Sequence, residues 1–253
     1  MKLTNLATVA LLSASILAGG ATVLAEEARD VTTDGQIMFV PNVDEELEVI
    51  PPVTDPEVEI PPIIEGTTGP LSILFAPTMN FGEQAISNQD KTYNMIAETQ
   101  KLVGSEDRVP YVSMANVQDN RGNNEGWTLS VTASEFESTT TTLNSKLKGA
   151  QISLLAPWMD YSGIDQTMAP SIHNEVLNLV PGTSSIIMNA EAEKGAGSSS
   201  IVWGDQVALT ASTDEIVRNE FIQLFVPGST AKDATTYSAS LNWELTTGVD
   251  NSF

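Results

Sequence analysis

The chain has 253 residues, no cysteine, 33 acidic against 11 basic residues and a formal net charge of −22. Such an acidic chain repels phosphate backbones and anionic membrane surfaces, which argues against a nucleic-acid partner. Without cysteine there is no disulfide framework, and with a single histidine any zinc site would rest on carboxylates, which suit zinc poorly.

Residues 1–25 read as a secretory signal peptide. Lys2 supplies the charged start, Leu6 to Leu17 the apolar stretch, and Val23-Leu24-Ala25 a small-residue cleavage site before Glu26-Glu27. The apolar run is too short for a spanning helix, and no later segment is long and apolar enough. Removal of this peptide leaves about 230 residues, enough for one sizeable core. No Leu-Pro-x-Thr-Gly sorting signal follows the last strand, so attachment to a cell is expected to be non-covalent.

Residues 26–65 form the next region. In Gly35-Gln-Ile-Met-Phe-Val-Pro-Asn42, Ile37 and Phe39 alternate with Gln36 and Met38, which predicts a short strand able to pair with the main domain. Pro41 to Glu65 carries eight acids, no base and six prolines. Proline fixes φ and like charges repel, so this segment is expected to be an extended, poorly packed spacer. At roughly 3 Å per residue it would span about 75 Å.

Residues 66–253 are the predicted all-β domain, a sandwich or barrel-like arrangement. Strands are expected at Leu71–Ala76, Tyr111–Val117, Trp127–Ala133, Ala150–Ala156, Ser185–Ala190, Ser200–Trp203, Gln206–Ala211, Phe221–Val226 and Thr236–Thr246. Turn chemistry separates them at Asp119–Gly126, Pro181-Gly182, Lys194–Ser198 and Pro227-Gly228. Tyr93–Val103 and Ser171–Val180 fit either strands or a short helix.

Two of these strands carry the same tripeptide, Trp127-Thr128-Leu129 and Trp243-Glu244-Leu245. A strand alternates its side chains, so Trp127, Leu129, Val131 and Ala133 share one face. Tyr237, Ala239, Leu241, Trp243 and Leu245 do the same in the second copy. A tryptophan on such a face either fills the core or shapes a carbohydrate- or peptide-facing surface, and strand physics alone does not choose.

The catalytic patterns are weak. His173 is the lone histidine, and no Gly-x-Ser-x-Gly elbow accompanies it. Ser229-Thr-Ala-Lys232 matches Ser-x-x-Lys but sits between two predicted strands, without the companion motifs of acyl enzymes. No carboxylate pair stands out for glycoside hydrolysis, and aromatic content is only 6%, low for a sugar cleft. The Asp119–Gly126 loop offers oxygens to calcium, but its spacing is not that of an EF-hand and it reads as a hairpin turn.

Taken in order, Gly35–Asn42, the acid and proline segment, Leu71-Ser-Ile-Leu-Phe-Ala76, Asn80-Phe-Gly82, Pro110–Gly122 leading into Gly126-Trp-Thr-Leu129, Lys148–Leu154, Gly195-Ala-Gly-Ser198 and Trp243-Glu-Leu245 resemble the WxL domain proteins of low-GC Gram-positive bacteria. The resemblance starts near residue 35 and covers essentially the whole chain after the signal peptide. It implies a non-enzymatic cell-surface protein without a cofactor. Such a protein associates non-covalently with peptidoglycan through its WxL domain and works with other surface proteins in one complex. It also implies that Trp127, Leu129, Trp243 and Leu245 bind the wall or support the face that does. The alternative is a structural or adhesive subunit held on the wall mainly by protein partners.

Overall fold

The structure, a computed structural model, describes residues 35–41, 48–62 and 69–248. The chain divides into two compact units, Met1–Met38 and Phe39–Phe253. The signal peptide lies outside the described residues, and of the first unit only Gly35–Met38, exposed, is described. The second unit contains every strand among the described residues.

In chain order the strands are β1 (Val58–Glu59), β2 (Leu71–Phe75), β3 (Lys91–Ile96), β4 (Glu98–Leu102), β5 (Arg108–Tyr111), β6 (Ser113–Asp119), β7 (Trp127–Ala133), β8 (Glu137–Ser138) and β9 (Gln151–Leu155). They continue with β10 (Trp158–Tyr161), β11 (Ser171–Ile172), β12 (Val176–Leu179), β13 (Ser184–Ala190), β14 (Gly197–Trp203), β15 (Arg218–Val226), β16 (Tyr237–Ser238) and β17 (Leu241–Thr247). One α-helix, α1 (Gln206–Ala211), and a 3-10 turn at Gln166–Met168 complete the described elements. The all-β expectation therefore holds. The two ambiguous stretches, Tyr93–Val103 and Ser171–Val180, are strands.

Three antiparallel four-stranded sheets form the body, ordered β10-β14-β6-β2, β11-β13-β7-β17 and β12-β9-β15-β3. No two neighbours within these sheets are consecutive in the chain. All three contribute to one main core, through Ile201 and Trp203, Trp127 and Leu129, and Leu154 and Ile222. Strand β6 is buried on both faces. Its Ala115 and Val117 enter the main core, while Met114 joins Leu74, Tyr111, Val112 and Val202 in a second cluster. The first sheet thus lies between two apolar clusters, which is why β6 reads as nearly continuous burial rather than alternation.

Two expectations are corrected. Gln206–Ala211 is a helix and not a strand. The Asp205 carboxylate accepts from the amides of Val207 and Ala208 and caps a helix start. Leu209 is buried and Val207 is exposed.

Residues 48–62 of the acidic proline segment are not poorly packed. Val49, Val58 and Ile60 are buried in the second cluster, Val58 pairs with Leu102, and the Tyr111 hydroxyl donates to the Val53 carbonyl at 2.7 Å. The acids of this stretch alternate with valine and isoleucine, so the charges stay in water while the branched side chains dock. The stretches 42–47 and 63–65 lie outside the described residues.

Gly35–Pro41 is exposed and forms no ladder among the described residues. Asn42 lies outside them.

Candidate functional site

The two Trp-x-Leu strands lie side by side. β17 pairs antiparallel with β7, with Leu245 opposite Leu129, Trp243 opposite Val131 and Thr247 opposite Trp127. Residues directly opposite in a ladder share a face, so all four motif residues point to the same side, the inner one. Their burial differs. Trp127 and Leu129 have no exposed surface, whereas Trp243 and Leu245 are half-buried at the sheet edge.

Trp127 is placed by a turn and a receiving loop. Arg121 forms a two-pronged bond to Asp119, at 2.9 Å from Nε and 2.8 Å from Nη2, and Nη2 also reaches the Gly126 carbonyl at 2.8 Å. The carboxylate beside it holds the Arg121 guanidinium above its usual pKa. The pair fixes the peptide that enters β7. Gly126 has φ +74°, and a Cβ there would sit 2.3 Å from the Ala190 carbonyl, so only glycine fits. The Trp127 indole N–H then donates to the Gly195 carbonyl at 3.0 Å. A Cβ on Gly195 would meet that indole nitrogen at 2.8 Å. The Asp119 turn and the Gly195 loop, distant in sequence, are thus two halves of one seat for Trp127.

Trp243 faces a different environment. With Leu241 it lines an open groove of about 960 Å³ between the second and third sheets. Tyr93, Phe136 and Leu224 lie on its floor, and the segment 76–86 and residues 232–239 form walls. The Glu98 carboxylate anchors the first wall by accepting from the Thr78 amide at 3.0 Å. Burial raises the Glu98 pKa to about 7, against the pull of that bond and of Ser113. The Tyr237 hydroxyl ties the second wall by donating to the Asn144 carbonyl at 2.6 Å.

The opposite face of the same sheet is polar. Asn242, Glu244 and Thr246 of β17 stand beside Thr132, Ser130 and Thr128 of β7. The β17 residues are exposed, and Ser130 and Thr132 are half-buried. Thr128 is buried, with its hydroxyl 3.0 Å from Asn189 Oδ1. These hydroxyls, the Asn242 amide and the Glu244 carboxylate stand in register across the ladder and can exchange hydrogen bonds with a glycan or a peptide.

The family described as WxL domain, surface cell wall-binding, matches residues 26–248. The chain belongs to the WxL family. No curated protein and no solved structure matched it. The WxL assignment makes the chain a surface protein that binds the cell wall.

The remaining sequence candidates are integrated into the WxL fold. His173 is buried, with Nδ1 2.6 Å from the Asn174 carbonyl and Nε2 accepting from the Trp203 indole at 3.1 Å. Burial lowers its pKa. The Lys232 ammonium donates to the carbonyls of Ser87, Pro227 and Thr230, so its three protons hold a turn together. Both Asp119 oxygens accept from Arg121. Among the described residues no cluster of three or more His, Asp or Glu is arranged for a metal ion, and no helix is long and apolar enough to cross a membrane. Sequence reasoning missed Glu98, Arg121 as the clamp on Gly126, and the groove. Only Arg121 had a signal, its place in the Asp-Asn-Arg-Gly turn.

Proposed function

We propose that this WxL protein is secreted, is not an enzyme and attaches non-covalently to peptidoglycan through the sheet that carries both Trp-x-Leu motifs. The observation that carries this reading is the pairing of β7 and β17, which puts both motifs beneath one polar, exposed face. Trp127 and Leu129, without exposed surface, are the support of that face and not its contact residues. Leu245 and Trp243 extend the support to the edge. Recognition falls to Thr132, Asn242 and Thr246, whose hydroxyl and amide groups exchange hydrogen bonds with sugar hydroxyls or stem-peptide amides. A non-enzymatic role is supported by the full engagement of the His173 ring nitrogens and the Lys232 ammonium in structural bonds.

The test is co-sedimentation of residues 26–253 with protein-free peptidoglycan sacculi. A Thr132→Ala/Asn242→Ala/Thr246→Ala variant removes three polar groups without touching the core. At roughly 0.5–1.5 kcal/mol per lost hydrogen bond, binding should weaken at least tenfold. Unchanged binding by the folded triple variant would refute the placement of the face. A second reading, a structural or adhesive subunit held on the wall by protein partners, is supported by the exposed apolar run Ile37–Val40. Wild-type protein that reaches sacculi only in the presence of another surface protein would establish that reading instead.

A further inference from the structure

Strand β17 is an edge strand. It pairs with β7 on one side, and among the described residues no backbone hydrogen bond falls on its other side. An unpaired edge is a template for another strand. Here the edge also borders an unfilled space. Leu241 and Trp243 are half-buried and line the open groove beside this edge. Among the described residues no further strand covers that side of the sheet.

The same chain carries a segment with strand-like alternation that pairs with no strand among the described residues. Ile37, Met38, Phe39 and Val40 are 76%, 81%, 85% and 69% exposed. In the sequence, Ile37 and Phe39 alternate with Gln36 and Met38 as in a strand. Gly35 to Pro41 has no charged residue, in a chain of net charge −22. That matters for the partner's identity. Two copies repel each other over most of their surfaces, and an uncharged segment is the part that can approach without that penalty. Its five residues, Gln36 to Val40, span roughly 17 Å as a strand, within the roughly 23 Å of the seven-residue β17. Pro41 cannot donate to a ladder and would end the pairing.

From these observations we infer that residues Gln36–Val40 of one copy add as a strand to the free edge of β17 in a second copy, with Ile37 and Phe39 entering the Trp243 groove. The protein is then a self-associating surface subunit. Each molecule has one donor segment and one acceptor edge, which are different surfaces, so the contact is head-to-tail and permits rings or chains. This contact uses the edge and inner side of β17 and leaves the polar outer face to the wall.

The experiment is sedimentation velocity on residues 26–253 from about 1 to 100 μM, the range of a weak specific contact, at low and high salt. The expected result is a weight-average mass that at least doubles with concentration and rises further with salt, because salt screens the repulsion. An Ile37→Asp/Phe39→Asp variant lies outside the folded core and should remain monomeric. So should a Trp243→Lys acceptor variant, whose folding is checked by circular dichroism. Mixing the two variants gives the decisive result. The donor variant still has an intact β17 edge and the acceptor variant an intact segment, so one heterodimer and no larger species should form. A peptide of residues 35–41 should shift the Trp243 emission of the donor variant. Wild-type protein that stays monomeric at every concentration and salt would overturn the inference. Association that survives the Ile37→Asp/Phe39→Asp change, or variants that fail to complement, would also overturn it. Sacculus binding by the monomeric donor variant is measured in parallel, so loss of self-association is separated from loss of wall attachment.

Discussion

The two Trp-x-Leu motifs are identical in sequence pattern but should be unequal in stability. Trp127 has no exposed surface and its indole N–H is bonded to Gly195. Truncation to alanine removes 150–250 Å² of buried apolar area, and large-to-small changes of this kind cost about 3–5 kcal/mol. The Gly195 carbonyl then loses its donor, at about 1–3 kcal/mol more. The expected total of about 4–8 kcal/mol approaches the roughly 5–15 kcal/mol that holds a domain folded. Trp127→Phe keeps most of the ring and should cost about half as much. Trp243 is half-buried against an open groove, so Trp243→Ala should cost only about 1–2 kcal/mol. The assay is urea unfolding at 25 °C by far-UV circular dichroism, read as midpoint and slope. A Trp127→Ala loss below about 1.5 kcal/mol at unchanged slope, or equal losses at the two tryptophans, would refute the assignment of Trp127 as the buried support. The inequality also bears on wall binding. Lost binding in Trp127→Ala is informative only if the variant is folded, so Trp127→Phe is the variant to use beside sacculi.

Three further outcomes are expected. Arg121→Ala leaves the Asp119 carboxylate, 4% exposed, without its partner and should cost about 3–5 kcal/mol; in an Asp119→Asn/Arg121→Gln double variant the loss should fall short of the sum of the single losses, and strict additivity would contradict the clamp. Glu98, with its pKa raised to about 7 in the fold, contributes stability that is complete below pH 4.5 and is lost as pH rises through 7. Glu98→Gln should therefore gain on wild type by up to roughly 3 kcal/mol between pH 5 and 8, and a constant difference over that range would rule this out. His173 has the opposite sign. Its lowered pKa gives stability that is complete above pH 6.5 and lost as pH falls through the folded value. In the Glu98→Gln background, the urea midpoint should drop from pH 7.5 to pH 5 as the protonated ring turns a second donor toward Trp203; a flat profile would exclude that contact as the titrating one.

Local alternation made the strands legible because it reports which side of a strand is dry. Trp127–Ala133 is found with the expected bounds, and Ser184–Ala190 and Arg218–Val226 differ from expectation only at their first residues. Strand order was not legible, for a physical reason. Every neighbour pair in the three main sheets joins strands distant in the chain, as in β2 with β6 or β7 with β17. Alternation says that a strand has a dry face but not which strand lies beside it. The helix Gln206–Ala211 and the docked segment 48–62 failed for another reason. Both are decided by single contacts, the Asp205 cap and the pockets for Val49, Val58 and Ile60, and composition averages such contacts away.

The candidate site was half legible on the same grounds. That Trp127, Leu129, Trp243 and Leu245 belong together follows from the repeated pattern, and the ladder that sets Leu129 opposite Leu245 gives it a spatial meaning. What the pattern conceals is position within the sheet. β7 is flanked by β13 and β17, so its tryptophan is enclosed, whereas β17 has a neighbour on one side alone among the described residues. One motif is therefore sealed and the other half open, and the two should serve different ends. The enclosed copy sets the rigidity of the polar face. The edge copy, beside an unfilled groove, is where a further strand is accommodated. A chain whose charge opposes self-contact over most of its surface has, in its uncharged segment 35–41, the part best able to approach a second copy.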